Sequence, residues 1–463
     1  MARLYYQSPD AVCGDFMPFG EDGTFYLFYL RDPRVGGRSM GKPFGWDLLK
    51  TKDFVHYEDL GNAIPHGTDE EQDQYVFSGS VIKALGQYHA FYTGNNMLFP
   101  QQGKPGQVQM HATSDDLLHW TKTDEDLDLM AQPGYDPDDW RDPFLLWDEE
   151  RQEYRMFLGA RKAGPKTQQT GRTVWYTSKD LKTWEFQGDF WAPDLYTMHE
   201  MPDVFYMDGW WYHIITEYSH RSKMVYRMSK SLQGPWLTPK DDAFDGRAYY
   251  AARTFAMDGK HYLFGWVPTK EGDTDKGLFQ WGGACVPHQL YQREDGTLGC
   301  AMPDTVRAAF VEGENLDDVT LAAAPARQEK VLREDGGDFF KLELDVSFQE
   351  GTSTFGLRFY GNQETGESYQ YLFHVGENRV VFEKSPNWPW PDEQNIGQER
   401  PIHLEPGKTY HVDLIVDGTI ATLYVDGVAL NARAYRKFGT AVSAFATDGT
   451  VELKNITLSR DLK

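Results

Sequence analysis

The chain has 463 residues, 46 of them Lys or Arg and 70 Asp or Glu, which leaves a formal net charge of -24. So large an acidic excess excludes the phosphate backbone of nucleic acid and an anionic membrane surface as partners, and no stretch approaches the ~18 apolar residues of a membrane helix. The length allows two or more domains with a sizeable core, while 44 Gly, 24 Pro, 15% aromatic residues and few helix-period runs predict an all-β chain.

The chain opens Met1-Ala-Arg-Leu-Tyr-Tyr6, without a basic start followed by an apolar run, so the expected location is cytoplasmic. Five similar segments follow: Tyr26-Leu-Phe-Tyr-Leu, Tyr88-His-Ala-Phe-Tyr, Tyr154-Arg-Met-Phe-Leu, Tyr212-His-Ile-Ile-Thr and Tyr262-Leu-Phe-Gly-Trp. Their first residues lie 62, 66, 58 and 50 positions apart. That interval fits one four-stranded sheet with its loops, the blade of a β-propeller, and five blades take up residues 1–300. A second echo supports the period. Thr51-Lys-Asp-Phe-Val-His-Tyr57, Ser114-Asp-Asp-Leu-Leu-His-Trp120 and Ser178-Lys-Asp-Leu-Lys-Thr-Trp184 read as tight turns entering a strand, and Ser229 to Trp236 is a looser version. Each ends on an aromatic suited to packing between blades.

Because the first strand of a blade lines the channel, residues at matched offsets before the five tyrosines converge on one axis. Asp15 precedes Tyr26 by 11; Asp142, Glu200 and Tyr250 each stand 12 before their tyrosine, and Ser78 stands 10 before Tyr88. The expected pocket holds three carboxylates, a serine, a tyrosine and the guanidinium of Arg141, and suits a neutral polyol better than a phosphate. The three cysteines, Cys13, Cys285 and Cys300, form no CxxC pair, and no His cluster has zinc spacing, so neither metal nor cofactor is expected.

Residues 301–333 read as a connector with one short helix. From 334 to 463 strand alternation returns, in Phe340 to Phe348 and in Tyr410 to Val416, where Asp417-Gly418 and the run Thr419 to Val425 complete a hairpin signal. A β-sandwich is predicted for this part.

Retaining glycoside hydrolysis needs one carboxyl group that donates a proton to the leaving group and one carboxylate that attacks the anomeric carbon. Asp15 and Glu200, from different blades, are the candidates. Phe77-Ser-Gly-Ser80, Trp140-Arg-Asp-Pro143 with Gly159-Ala-Arg161, Glu200-Met-Pro-Asp203, Tyr250-Ala251 and Trp281-Gly-Gly283 resemble the blocks of glycoside hydrolase family 32, the invertase, inulinase and levanase group. The resemblance spans nearly the whole chain. It implies a five-bladed propeller followed by a sandwich, and hydrolysis of β-fructofuranosides with retention. It makes Asp15 the nucleophile, Glu200 the general acid/base and Asp142 the residue that holds sugar hydroxyls and stabilises the transition state. Arg141 is read as a clamp on hydroxyls and carboxylates, Asp203 as an orienter of Glu200 or a turn-stabilising aspartate. Phe77, Ser78, Trp46, His199, Tyr250 and Trp266 are the candidate substrate contacts, with Arg31, Asp32 and Phe44 as further pocket residues.

The chain departs from the family's pattern at Gly14, where an asparagine is usual, at Leu30 for a glutamine, at Met201 for a cysteine, and at His199 and His288. These changes leave the acids in place and alter the lining. The expected partner is a small carbohydrate. An arabinofuranosidase or xylosidase of a related propeller family, a transglycosylase and a non-catalytic carbohydrate-binding protein are the alternatives.

Overall fold

A computed structural model describes residues 4–123, 129–219, 222–386 and 396–463. Blade one consists of β1 (Val12–Glu21), β2 (Thr24–Asp32), β3 (Trp46–Thr51) and β4 (Tyr57–Ile64). Blade two is β5 (Tyr75–Ala84), β6 (Gln87–Asn95), β7 (Gln107–Ser114) and β8 (Thr121–Lys122). Blade three is β9 (Tyr135–Asp148), β10 (Glu153–Lys162), β11 (Gly171–Ser178) and β12 (Glu185–Trp191). Blade four has β13 (Met198–Met207), β14 (Trp210–Tyr218) and β15 (Lys223–Ser229), extended by a bridge from Met228 to Leu237. Blade five has β16 (Tyr250–Met257), β17 (Lys260–Lys270), β18 (Phe279–Gln292) and β19 (Leu298–Ala301). The repeated aromatic segments are the second strands of the five blades, and the residues at matched offsets lie on the first. The ring closes where Cys13 pairs with Gly283 and the Cys285 amide donates to the Tyr6 carbonyl.

The second echo is a recurrent turn. The amides of Phe54, Leu117 and Leu181 donate to the hydroxyls of Thr51, Ser114 and Ser178, and each of these three residues takes a positive φ. Asp53, Asp116 and Asp180 each accept two further amides, which compensates the strained residue with local hydrogen bonds. The aromatic that ends the turn then reaches the preceding blade: Trp120 meets Phe28 at 5.6 Å, Trp184 meets Phe91 at 5.5 Å and Trp236 meets Phe190 at 5.5 Å between ring centroids. These edge-on contacts staple blade to blade.

The C-terminal part is a sandwich of a seven-stranded and a six-stranded sheet. In the strand Phe339–Phe348, Phe340, Leu342, Leu344 and Val346 are buried while Glu343, Asp345 and Ser347 are only partly so, which is the alternation of a strand with one face in the core. The hairpin at Asp417-Gly418 forms between Thr409–Asp417 and Ile420–Val425, with Gly418 at φ 63°. The expected connector is shorter than 301–333. Its helix is Asp304–Ala309, but Glu314–Asn315 and Val319–Ala322 pair with Thr450–Ser459, and Arg327–Arg333 pairs with Ala441–Thr447. Arg327–Arg333 is an edge strand whose side chains are exposed or half-exposed, so it carries no apolar period to read.

The sandwich is bonded to blades four and five through buried polar groups. His288 meets the Tyr424 hydroxyl at 2.9 Å, the Asp245 carboxylate accepts the Asn431 backbone and side-chain amides at 2.8 and 2.6 Å, and Arg433 donates to the carbonyls of Val267 and Pro268. His288 is therefore an interdomain contact, remote from the channel. Among the described residues, no helix is long and apolar enough to cross a membrane.

Candidate active site

All five innermost strands carry the same irregularity. Cys13 to Phe16, Val76 to Gly79, Arg141 to Phe144, Glu200 to Asp203 and Tyr250 to Arg253 each span three steps against two on the neighbouring strand. Such a bulge leaves one residue unpaired and turns its neighbour's side chain out of the regular alternation. Asp142, Met201 and Ala251 occupy these bulges with φ of 65°, 51° and 51°, conformations that non-glycine residues rarely adopt. The repeat thus brings Asp15, Ser78, Asp142, Glu200 and Tyr250 to one end of the channel.

There they line a cavity of about 450 Å³ together with Arg141. Asp15 accepts the Ser78 hydroxyl on Oδ2 at 2.6 Å and the Trp266 indole N–H on Oδ1 at 3.1 Å. Burial, with the negative charge of Asp142 behind it, pushes the Asp15 carboxyl up to about 7. Glu200 accepts Arg141 Nη2 on Oε1 at 2.6 Å and the Tyr250 hydroxyl on Oε2 at 2.5 Å. Asp142 Oδ2 accepts the Met201 amide at 3.1 Å and lies 3.8 Å from Arg141 Nε; burial raises its carboxyl above the ordinary range. Arg141, tied also to Asp139 at 2.9 Å, is a charged fork between Glu200 and Asp142.

Behind the acids lies Arg253, which the sequence reading missed. It is buried, and its guanidinium donates to the carbonyls of Pro202 at 2.7 Å and Asp142 at 2.9 Å. One cation therefore locks the bulges that carry Glu200 and Asp142. Asp203 closes the Glu200 bulge but does not touch that acid: its carboxylate accepts the Thr254 amide at 2.6 Å and the Thr254 hydroxyl, joining blade four to blade five.

The expected contacts divide. Phe77, Ser78, Arg141 and Tyr250 line the cavity, as does Phe44. Trp46 does not. It is fully buried between Phe28 and Tyr92, and its indole N–H donates to the Phe77 carbonyl. His199 is also fully buried, bonded to the Thr173 hydroxyl and the Leu195 carbonyl, and burial pushes its imidazole down to about 3. As the neighbour of Glu200 on a strand it faces the opposite side. Trp266 reaches the site through its indole bond to Asp15 rather than as a cavity wall. Arg31 is held by Ser8 and the Pro9 carbonyl, while Asp32 accepts the amides of Arg34 and Met40 and so shapes the loop at the cavity mouth.

The lining also includes Leu30, Met40, Asn95, Met97 and Trp281. Trp281 explains Gly14. A Cβ at position 14 would lie 2.2 Å from Trp281 Cη2, so the indole occupies the space of any side chain there. Arg34 secures that ring by donating to the Trp281 carbonyl. Gly14→Asn is expected to lower stability by about 1–3 kcal/mol through overpacking, and Trp281→Ala in the same chain to restore much of it. Denaturant unfolding of the single and double variants checks this, and a Gly14→Asn protein as stable as the parent would show the ring to be displaceable.

Two carboxyl groups and a third acid converging from separate blades into a channel-end pocket are the apparatus of a glycoside hydrolase. Residues 17–297 match the glycosyl hydrolases family 32 N-terminal domain and residues 311–460 the family 32 C terminal. The chain belongs to glycosyl hydrolase family 32. It is 23% identical to a levanbiose-producing levanase of Bacillus subtilis, over 99% of this chain and 90% of that protein. A sucrose-6-phosphate hydrolase of Vibrio alginolyticus is 25% identical over 70% of this chain and 67% of its own length. Among solved structures, fructan 1-exohydrolase IIa of Cichorium intybus superposes with a TM-score of 0.82 at 16% identity, covering 100% of this chain and 97% of the other.

Proposed function

We propose that this glycoside hydrolase cleaves the terminal β-fructofuranosyl unit from sucrose or a fructan, with retention through a fructosyl-enzyme ester. The observation that carries the reading is the placement of Asp15, Asp142 and Glu200 at equivalent bulges of blades one, three and four around one cavity. In the first step Glu200 gives its proton to the glycosidic oxygen while an Asp15 oxygen attacks the anomeric carbon; the C–O bond breaks and the leaving sugar departs as an alcohol. In the second, Glu200 takes a proton from water, the hydroxide oxygen bonds to the anomeric carbon, and Asp15 leaves as carboxylate.

The remaining groups fit these roles. Ser78 and Trp266 aim Asp15 from two sides, Tyr250 and Arg141 fix Glu200, and Asp142 offers a carboxylate to ring hydroxyls. The name of the Bacillus relative points to a fructan and that of the Vibrio relative to a phosphorylated sucrose. Product analysis on sucrose, sucrose 6-phosphate, inulin, levan and arabinofuranosides tests the reading, with NMR to record the first anomer released. Fructose released as the β-anomer is the expected result. Release of the α-anomer would remove Asp15 from the nucleophile's role, and turnover of arabinofuranosides alone would overturn the substrate class.

A further inference from the structure

The wall of the catalytic cavity is divided. On the side of blades one and five it is apolar, formed by Leu30, Met40, Phe44 and Trp281, and Gly14 and Leu30 bring no amide side chain to it. On the side of blade two it carries two carboxamides, Asn95 and Gln107. These residues stand directly opposite each other on β6 and β7, which places their Cβ atoms about 5 Å apart on one face of the sheet. Two residues back along the same strands Thr93 and Gln109 are paired in the same way, and the Thr93 hydroxyl accepts the Asp142 amide while donating to Gln109 Oε1. Strand alternation puts Asn95 and Gln107 on that same face, about 7 Å further toward the cavity. Gln107 also accepts the Trp140 amide and Gln109 donates to the Trp140 carbonyl, each at 2.9 Å. The carboxamide pair therefore borders the corner of the cavity that holds Arg141 and Asp142.

Both residues are buried, at 7% and 6% exposure, yet their hydrogen-bonding capacity is not spent inside the protein. The Gln107 oxygen is taken by Trp140, which leaves its amide N–H groups facing the cavity. The Asn95 carboxamide makes no side-chain hydrogen bond among the described residues. A carboxamide offers two donors and an acceptor oxygen, and burying them without partners is costly. A structural asparagine has such partners, as its neighbour Asn96 has in the carbonyls of Asp69 and Glu71. Asn95 is thus a polar group shielded from bulk water, aimed into the catalytic cavity and satisfied only by what enters there.

We infer that Asn95 and Gln107 bind ring hydroxyls of the transferred fructosyl unit, beside those held by Asp142, and so select the sugar. The inference rests on the β-fructofuranosidase reading and adds to it the residues that recognise the glycone. The vicinal C3 and C4 hydroxyls of a furanose can donate to the Asn95 oxygen and accept from the amide N–H groups of either residue. The apolar wall opposite is left for the C–H edge of the ring. A site that hydrogen-bonds a substrate hydroxyl discriminates against an analogue lacking it, because its own buried polar groups are then unpaired. For one neutral bond the expected factor in kcat/KM is roughly tenfold.

The experiment compares kcat/KM for sucrose and for its analogues lacking the fructosyl C3 or C4 hydroxyl in the full-length wild type, Asn95→Leu and Gln107→Glu, the last of which keeps an oxygen for the Trp140 amide. Asn95→Leu is expected to lose about tenfold or more on sucrose, to lose little on one of the two deoxygenated analogues, and to melt no lower than the wild type because no bond within the protein is broken. Gln107→Glu is expected to lose a similar factor on sucrose. Equal losses of Asn95→Leu on sucrose and both analogues, full activity in both variants, or a markedly lower melting temperature of Asn95→Leu overturns the proposal. So does a loss that appears with sucrose and not with inulin, which would place the pair beyond the scissile bond. Calorimetry with 2,5-anhydro-D-mannitol, a furanose ring with these hydroxyls and no scissile bond, separates the two levels of argument. A protein that cleaves no β-fructofuranoside but binds this ring in an Asn95-dependent way refutes the catalytic reading alone, and no binding, or equal affinity in the wild type and Asn95→Leu, refutes the carboxamide site.

Discussion

Asp15→Asn is expected to lower kcat for sucrose by on the order of 10³-fold or more, because the amide removes the attacking carboxylate while keeping the side chain's shape. The same substitution should raise the melting temperature at pH 8. Burial and the charge of Asp142 hold the Asp15 carboxyl at about 7 in the folded protein, above its unfolded value near 4. A carboxyl raised in this way is a net cost to folding when ionised, above pH 7; the cost is relieved as pH falls from 7 towards 4 and the folded state takes up the proton. The gain from Asn should therefore be largest at pH 8 and shrink by pH 5. Asn can still accept the Trp266 N–H on its oxygen, and the Ser78 hydroxyl can turn to accept its amide. Activity follows the opposite limb: kcat/KM of the wild type falls tenfold per pH unit below about 7 as the nucleophile is protonated. An Asp15→Asn protein with wild-type activity, or one that melts lower at pH 8 than its parent, would contradict the assignment.

This trade locates the strain of the site in residues the sequence made legible. Asp15, Asp142 and Glu200 could be found because a propeller repeats its strand order, so equal offsets in sequence become equal positions around an axis. The bulges could not. An extra residue per inner strand leaves the aromatic period intact, and nothing in the letters of Gly14 to Phe16 or Met201 to Asp203 marks where register breaks. His199 shows the consequence: its nearness to Glu200 in sequence suggests a pocket residue, but the pleat turns it to the opposite side, onto Thr173 and the Leu195 carbonyl. Trp46 misled for a related reason, being the start of a third strand whose indole serves the backbone of the neighbouring blade.

Arg253 had a faint signal. It closes the bulge of blade five as Asp203 closes that of blade four, three residues after Tyr250 and Glu200 respectively. Read as a pair, the two buried charges mark where the inner strands regain register, and both spend their hydrogen bonds on other blades. Gly14 was legible as a departure but not as an accommodation, because the indole that fills its space lies 267 positions further along the chain.

Glu200→Gln should reduce kcat for sucrose about 10²–10⁴-fold, the range for loss of a positioned proton donor, with a dependence on the leaving group that Asp15→Asn lacks. Cleavage of sucrose expels an alkoxide that needs the proton; an aryl fructofuranoside expels a phenolate that does not. The first step on the aryl substrate should therefore survive in Glu200→Gln, and the ester should accumulate because no base activates water for the second. A burst of phenolate followed by slow turnover is the expected trace. In Glu200→Ala, which opens space beside Arg141 and Tyr250, azide should take the place of water and release a β-fructosyl azide, since an anionic nucleophile needs no base. Equal losses on sucrose and on the aryl substrate, with no burst and no azide adduct, would mean that Glu200 positions substrate instead of transferring a proton, and that the acid must be sought elsewhere on the cavity wall.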